Sequence, residues 1–366
     1  MKNATITGWG KCMPPAVLTN DDISTFLDTN DEWIVTRTGM KERRISHVPI
    51  SELAHVASVR ALAAAGVDAS DVDLIIFGSC TPDEIVPNSA SLVQRLLGIE
   101  KAAAFDINTA CTSGMYALSL ASSLIRTGTA RTALVIGAEV ISNVQDWTDR
   151  NVAVLFGDGA AAFVLQETVE EEGVLADKLG CLAESRDILR AHGMGTRYID
   201  GQTILGTVWW NFQGQEIFKK AVLGMCEASA QALEKAGLST DQIDLVVPHQ
   251  ANLRIIDAVA KRFGVPAEKV FINIHKYGNM SSATTPVALV EAIEEGYVKP
   301  GMNILLPAFG AGLTYSAHII RWGERVEPVG SAEIELPPCE KTGLELVREM
   351  MQRPRAGGPF KSINKS

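Results

Sequence analysis

Cys111, His249 and Asn279 have the side-chain types that acyl transfer needs, and each stands where an apolar, strand-like run gives way to a helical pattern. In DINTACTSGMYALSLA, residues 106–121, Cys111 sits among small residues just before helical spacing. A thiol at a helix N-terminus faces unpaired backbone N–H groups and the positive end of the helix dipole, which lower its pKa and make it a nucleophile. In LVVPHQANLRII, His249 leaves the apolar run IDLVV behind Pro248, whose ring fixes the exit. In KYGNMSSATTPVALVEAI, Asn279 follows Gly278 ahead of another helical run. Taken singly, each has an ordinary structural use: a small buried thiol, a satisfied histidine, a turn or cap asparagine. Together they form a coherent set, a thiolate that accepts an acyl group from a thioester and two neutral donors that stabilise an oxyanion. The His/Asn pair suits the enolate left when a malonyl thioester loses carbon dioxide, a step that needs no base. A Cys–His hydrolase would use the same types with His as the base, but no protease-like motif surrounds Cys111.

Positioning three residues so far apart requires a fold that brings distant segments together, and an internal repeat supplies one. ALAAAGVDASDVDLIIF (61–77) aligns without gaps on ALEKAGLSTDQIDLVVP (232–248), an offset of 171. Each copy reads as a helix ending at Gly66 or Gly237, a polar loop and a buried strand. LGIEKAAAFDIN (97–108) then resembles FGVPAEKVFINI (263–274), and ALVIGA (133–138) resembles NILLPA (303–308). The chain therefore reads as two copies of one α/β unit, with Cys111 in the first and His249 and Asn279 in the second. Strands that are apolar throughout call for helices on both faces of their sheets. A site between the copies, at the carboxyl ends of the strands, draws residues from both.

Bulk properties narrow the function classes. The 366 residues are 46% hydrophobic and 21% charged, ordinary for a globular chain, and the net charge of −10 argues against a nucleic-acid binder. No apolar run approaches the roughly 18 residues of a membrane helix. The N-terminus MKNATITGWG has no signal-sequence pattern, so the expected location is cytoplasmic. The six cysteines are scattered without metal-ligand spacing, which predicts free thiols and no metal site.

Several motifs in order resemble the thiolase superfamily and, within it, β-ketoacyl-acyl-carrier-protein synthase III, over roughly residues 3 to 322. They are DEWIVTRTGMKERR (31–44), AFDINTACTSGMYAL (104–118), TDRNVAVLFGDGAAAFVL (148–165), VPHQANLRII (247–256), YGNMSSATTPVAL (277–289) and LLPAFGAGLTYSAHIIRW (305–322). The resemblance implies a thiolase-like five-layered αβαβα fold of two pseudo-duplicated halves, 1–170 and 171–322, followed by an extension, 323–366. It implies Cys111 as the acylated nucleophile and His249 and Asn279 as ligands of the malonyl thioester carbonyl. It further implies an oxyanion hole from the backbone N–H groups of Cys111 and Ala311. Trp33 and Arg150 would sandwich the adenine of coenzyme A, with Arg37 near its phosphates and Gln215 beside it. Phe156 and Val86 would belong to the acyl pocket, and Arg254, Lys261 and Arg262 to a basic patch for an acidic acyl carrier protein. The implied reaction is a decarboxylating condensation of an acyl-CoA with malonyl-acyl carrier protein in a homodimer, with no cofactor beyond the thioester substrates.

Four features depart from the family pattern. Gln215 stands where an Asn is usual, and Met280 where a Thr or Ala follows the catalytic Asn. Val86 replaces a bulky aromatic that in short-chain members reaches into the neighbouring subunit's acyl pocket, which predicts a primer longer than acetyl. The extension 323–366 contains a short helical pattern at 343–352 between Pro/Gly-rich flanks, which suits a subunit clasp or a lid but reads first as a loosely attached end. Trp209 and Trp210, in YIDGQTILGTVWWNFQG, suit either a cap on the acyl tunnel or packing. Two rival activities share the site: acyl transfer to a small molecule, and condensation without decarboxylation. The latter needs a base, and although Asp83 and Glu84 lie in the segment that would supply it, they do not fall on the positions the resemblance implies for that role.

Overall fold

A computed structural model describes residues 2–193, 195–198 and 208–353. Five strands form the first sheet in the order Asn3–Cys12, Gly159–Thr168, Thr132–Glu139, Leu74–Gly78, Ala103–Ile107. Four form the second in the order Gly173–Cys181, Thr314–Arg321, Asn303–Gly310, Leu245–Val246. Both begin with antiparallel neighbours and end with parallel ones. A single parallel bridge from Val246 to Val270 stands where the first sheet has its fifth strand. Leu74 pairs with Ala133 and Leu245 with Ile304, so both partners recur 171 residues on. ALVIGA thus corresponds to ILLPAF (304–309), one residue away from the alignment the sequence suggests, because the strand pairing sets the register.

Alternation along the strands sorts the core into layers, since successive side chains point to opposite faces. Ile75, Phe77, Leu134 and Ile136 meet the helix Ile50–Ala65. Leu74, Ile76, Ala133 and Val135 turn to the central helices Ser113–Arg126 and Thr284–Glu294. Those helices also pack against Ile304, Leu306 and Ile320 of the second sheet. Leu305, Ala317 and Ile319 face outward to the helix Gly214–Ala236. The result is five layers, αβαβα, with the two central helices between the sheets. The outer helices end as expected, at Gly66 and Gly237 with φ of 67° and 66°, a left-handed turn that costs glycine little.

Each central helix follows a tight turn, Ala110–Thr112 or Ser281–Ala283, again 171 residues apart. The first residue of each is left-handed although it is not glycine: φ is 52° at Ala110 and 48° at Ser281. Such conformations are held only where the surroundings dictate them, and they gather at functional sites.

The extension departs from the expectation of a loose end. Beyond the second sheet the chain runs back over the first half: Arg325 donates to the Thr7 and Ala65 carbonyls at 2.8 and 2.9 Å, and Arg60 to the Ile334 carbonyl at 2.8 Å. The helix Gly343–Gln352 forms where the pattern placed it, closed at its N-terminus by a reciprocal Thr342/Glu345 cap. Its Leu346, Val347 and Met350 are buried with Ile45 and Trp147, so apolar burial holds the strap in place. Residues 354–366 lie outside the described residues. Val347→Asp, which puts a charge into that buried apolar cluster, is expected to lower stability by about 3 kcal/mol or more. A urea midpoint equal to wild type would mean the strap contributes nothing. Among the described residues, no helix is long and apolar enough to cross a membrane.

Candidate active site

Cys111 lies in the turn that opens the central helix of the first half, and Ala311 follows the strand Asn303–Gly310 of the second. Gly310 allows this approach: a Cβ there would come within 2.9 Å of the Cys111 backbone nitrogen. The backbone N–H groups of Cys111 and Ala311 both act on the Cys111 sulfur, as does the Ser281 hydroxyl, and all three favour the thiolate. Burial opposes them and wins, pushing the thiol up to about 11. This corrects the expected lowering by the helix terminus: stripping the sulfur of water outweighs the dipole.

His249 leaves the end of Leu245–Val246 with its backbone N–H donating to the Pro307 carbonyl at 2.9 Å. Its ring is buried, Nδ1 meets the Thr284 hydroxyl, and burial pushes the imidazole down to about 3. It is therefore neutral at physiological pH. Asn279 is tied by its backbone to the first half: its N–H donates to the Leu155 carbonyl at 2.9 Å and its carbonyl accepts from Gly157 at 3.1 Å. Its side-chain Oδ1 accepts the Ser281 N–H at 2.8 Å, which leaves Nδ2 as the free, donating end. Two pH responses are expected. Alkylation of Cys111 by iodoacetamide rises about tenfold per pH unit between pH 7 and 10, since the thiolate is the reactive form; a plateau already at pH 8 would mean that the N–H groups dominate after all. Turnover shows no inflection near 6.5, the ordinary histidine value, because His249 does not titrate there.

Cys111, His249 and Asn279 line one cavity of about 790 Å³, within the range of small-molecule sites. Phe156, Trp210, Ile141 and Phe309 give it apolar walls, and Trp33, Arg37, Gln215 and Arg254 also border it. Among the described residues no carboxylate lines it. Trp33 and Arg37 share the helix Asp31–Thr38, with the Arg37 guanidinium 4.5 Å from the indole centroid. Arg150 stacks directly on Trp33 at 4.8 Å and donates to the Asp28 carbonyl at 2.6 Å. The expected adenine slot between Trp33 and Arg150 is thus closed, because the cation itself occupies the face of the ring. Val86 is 83% exposed and does not line the cavity of its own chain, in keeping with a position that the resemblance assigns to the neighbouring subunit's pocket. Lys261 and Arg262 are exposed in the last turn of Leu253–Phe263, away from the cavity that Arg254 borders. Met280 is fully buried and touches none of the cavity, so that departure from the family pattern is a core matter. Of the two tryptophans, Trp210 lines the cavity 5.3 Å from Phe156, whereas Trp209 stacks on His192 at 4.9 Å. Residues 199–207 of that segment lie outside the described residues.

Some functional neighbours have little or no sequence signal. Ser281, whose hydroxyl stands between the sulfurs of Cys111 and Cys80, is one small residue among many. Asn252 caps the helix Leu253–Phe263 and donates to the Arg37 carbonyl at 3.0 Å, joining the two helices at the cavity mouth. Glu139 did carry a signal, a charge closing the otherwise apolar strand Thr132–Glu139. Fully buried, it accepts from Ser79, Thr81, the Cys80 N–H and the Ser282 N–H, and so ties the two halves behind the cysteines. No group of three or more His, Cys, Asp or Glu among the described residues is arranged to hold a metal ion.

Comparison with known proteins gives a consistent assignment. The family model "3-Oxoacyl-[acyl-carrier-protein (ACP)] synthase III" matches residues 105–182, and the model of that family's C-terminal part matches 233–322. A relative from Vibrio vulnificus (strain YJ016), named Beta-ketoacyl-[acyl-carrier-protein] synthase III 2, is 54% identical over 345 residues, 94% of this chain and 95% of its own. Beta-ketoacyl-[acyl-carrier-protein] synthase III of Roseiflexus castenholzii is 46% identical over 87% of this chain and 98% of its own. The crystal structure of 3-oxoacyl-[acyl-carrier-protein] synthase III from Aquifex aeolicus VF5 superposes with a TM-score of 0.82 at 43% identity, covering 87% of this chain and all of that one. With near full-length similarity, a shared thiolase fold and a thiol and two neutral donors lining one cavity, the chain belongs to the β-ketoacyl-acyl-carrier-protein synthase III family.

Proposed function

We propose that the chain condenses an acyl-CoA primer with malonyl-acyl carrier protein, with loss of carbon dioxide, to give a 3-oxoacyl-carrier product that starts fatty acid synthesis. The observation that carries this reading is a thiol and two neutral donors around one cavity that no carboxylate lines among the described residues. A condensation driven by proton abstraction needs a base there. Asp83 and Glu84 border a different cavity, and Glu139 spends its oxygens on Ser79, Cys80, Thr81 and Ser282. In the first step the Cys111 thiolate attacks the primer carbonyl, the N–H groups of Cys111 and Ala311 hold the oxyanion, and the coenzyme A thiolate leaves. In the second, the bond to the malonyl carboxylate breaks and carbon dioxide departs. His249 and Asn279 donate to the enolate oxygen, and the enolate carbon attacks the acyl-cysteine, expelling the Cys111 thiolate. Thioester exchange and decarboxylation supply their own driving force, so the reading calls for no cofactor.

The apolar cavity walls and the absence of an aromatic at position 86 support a primer longer than acetyl. Arg37, Arg150 and Gln215 would meet coenzyme A once Arg150 swings off Trp33. Arg254, Lys261 and Arg262 would meet the acidic carrier, although Asp257 shares their helix face. A homodimer fits the sheet edge at Ala103–Ile107 and the exposed Ile85 and Val86, 85% and 83% accessible. The protein would work in the cytoplasm, where its thiols stay reduced. Incubation with acyl-CoAs of two to twelve carbons, with and without malonyl-acyl carrier protein, tests this by intact mass and product analysis. A Cys111 adduct followed by a 3-oxoacyl product is expected, with the best primer beyond two carbons. A strict preference for acetyl-CoA would defeat the long-primer reading, and an adduct without condensation would favour transfer to a hydroxyl or amine acceptor.

A further inference from the structure

Thr284 opens the central helix of the second half, is fully buried, and presents its hydroxyl to Nδ1 of His249. Its counterpart in the first half is Ser113, 171 residues earlier, whose hydroxyl donates to the Ala110 carbonyl at 2.7 Å. The Thr284 hydroxyl lies 2.9 Å from the equivalent carbonyl, that of Ser281. In both halves that carbonyl also accepts the backbone N–H of the same residue, so the two turns match, and the difference is the His249 ring beside the Thr284 hydroxyl. The hydroxyl proton therefore has a second acceptor available, and no other group among the described residues bonds to Nδ1 of His249.

Which acceptor it takes decides what His249 can do. A neutral imidazole carries one N–H. If Nδ1 holds it, the threonine oxygen is its acceptor and Nε2 turns a lone pair toward the cavity, where it repels an enolate. If the hydroxyl donates to Nδ1, the ring proton sits on Nε2 and points with the Asn279 amide at the same oxygen. The structure assigns Thr284 as the positioning residue that holds His249 in its Nε2–H form for the second half-reaction. The repeat explains its origin: a hydroxyl that closes the helix turn in one half is turned to a catalytic neighbour in the other.

This inference rests on the condensing reading, and the test separates the two. Thr284→Val keeps the shape and removes the hydroxyl; Thr284→Ser keeps the hydroxyl. Decarboxylation of malonyl-acyl carrier protein, condensation and Cys111 acylation are measured for each. For Thr284→Val, kcat of decarboxylation and condensation is expected to fall roughly 10²-fold, the scale of a misplaced catalytic group. Its KM and its Cys111 acylation rate stay near wild type, and Thr284→Ser restores turnover. An unchanged kcat, equal losses in acylation and condensation, or a serine variant as poor as valine would overturn the assignment. If wild type itself releases no carbon dioxide, the condensing reading fails instead. Nitrogen-15 NMR of the wild-type protein labelled at histidine gives an answer even if the valine variant does not fold. A bare Nδ1 on His249 supports the assignment and a protonated one defeats it.

Discussion

Cys111→Ala is expected to leave a folded protein that takes no acyl group from acyl-CoA, with turnover down by about 10⁴-fold or more, the scale set by removing a covalent nucleophile. The change deletes one half-buried sulfur, so the surrounding turn, held by the Ser113 hydroxyl on Ala110 and Thr109, has little reason to move. Intact mass after incubation with an acyl-CoA is the readout: wild type gains one acyl group and the variant none. Cys80 makes the experiment informative, because it lines the same cavity and shares the Ser281 hydroxyl. Burial and the neighbouring Glu139 push its thiol up, as burial does that of Cys111, but the two backbone N–H groups that favour a thiolate act on Cys111 and not on Cys80. An adduct that persists in Cys111→Ala and maps to Cys80 would move the nucleophile and sink the assignment.

Variants at the two neutral donors should split the reaction. His249→Ala and Asn279→Asp are expected to acylate Cys111 within about threefold of wild type while condensation falls roughly 10² to 10³-fold, the cost of an oxyanion donor. Asn279→Asp is the sharper of the two. An aspartate keeps the shape and can still accept the Ser281 N–H, but it replaces the donating Nδ2 by a charged acceptor that repels the enolate. Cys111 acylation uses the N–H groups of Cys111 and Ala311 instead, and these come from a helix turn and a strand end that neither substitution touches. Single-turnover acylation and carbon dioxide release, measured separately, give the split. If both steps fall together in Asn279→Asp, the two carbonyl sites are not separate and the two-step account is wrong.

How far the site could be read from the sequence depended on whether the information was local. The turn before Ser113–Arg126, the exit at Pro248 and the Gly278–Asn279 step are written in a few adjacent residues each, and all three candidates line one cavity. The 171-residue repeat was legible for the same reason: helix, glycine cap, loop and strand form a contiguous pattern. The tail helix followed from its spacing, but its anchorage did not, since Leu346, Val347 and Met350 find their partners hundreds of residues away.

The sequence by itself determined the class of chemistry, the doubled α/β architecture and the segments that carry the thiol and the two donors, because periodicity and turn chemistry act over a few residues. Tertiary structure alone decided the electrostatics and the neighbours. Burial, not the helix terminus, sets the Cys111 thiol near 11 and keeps His249 neutral. Arg150 closes onto Trp33, and Val86 points away from its own cavity. Thr284 reaches His249, and Glu139 links the halves, through contacts between residues 35 and 143 positions apart. Desolvation and side-chain contact depend on which distant segments exclude water from a group, and that is a property of the packed chain rather than of any stretch of it.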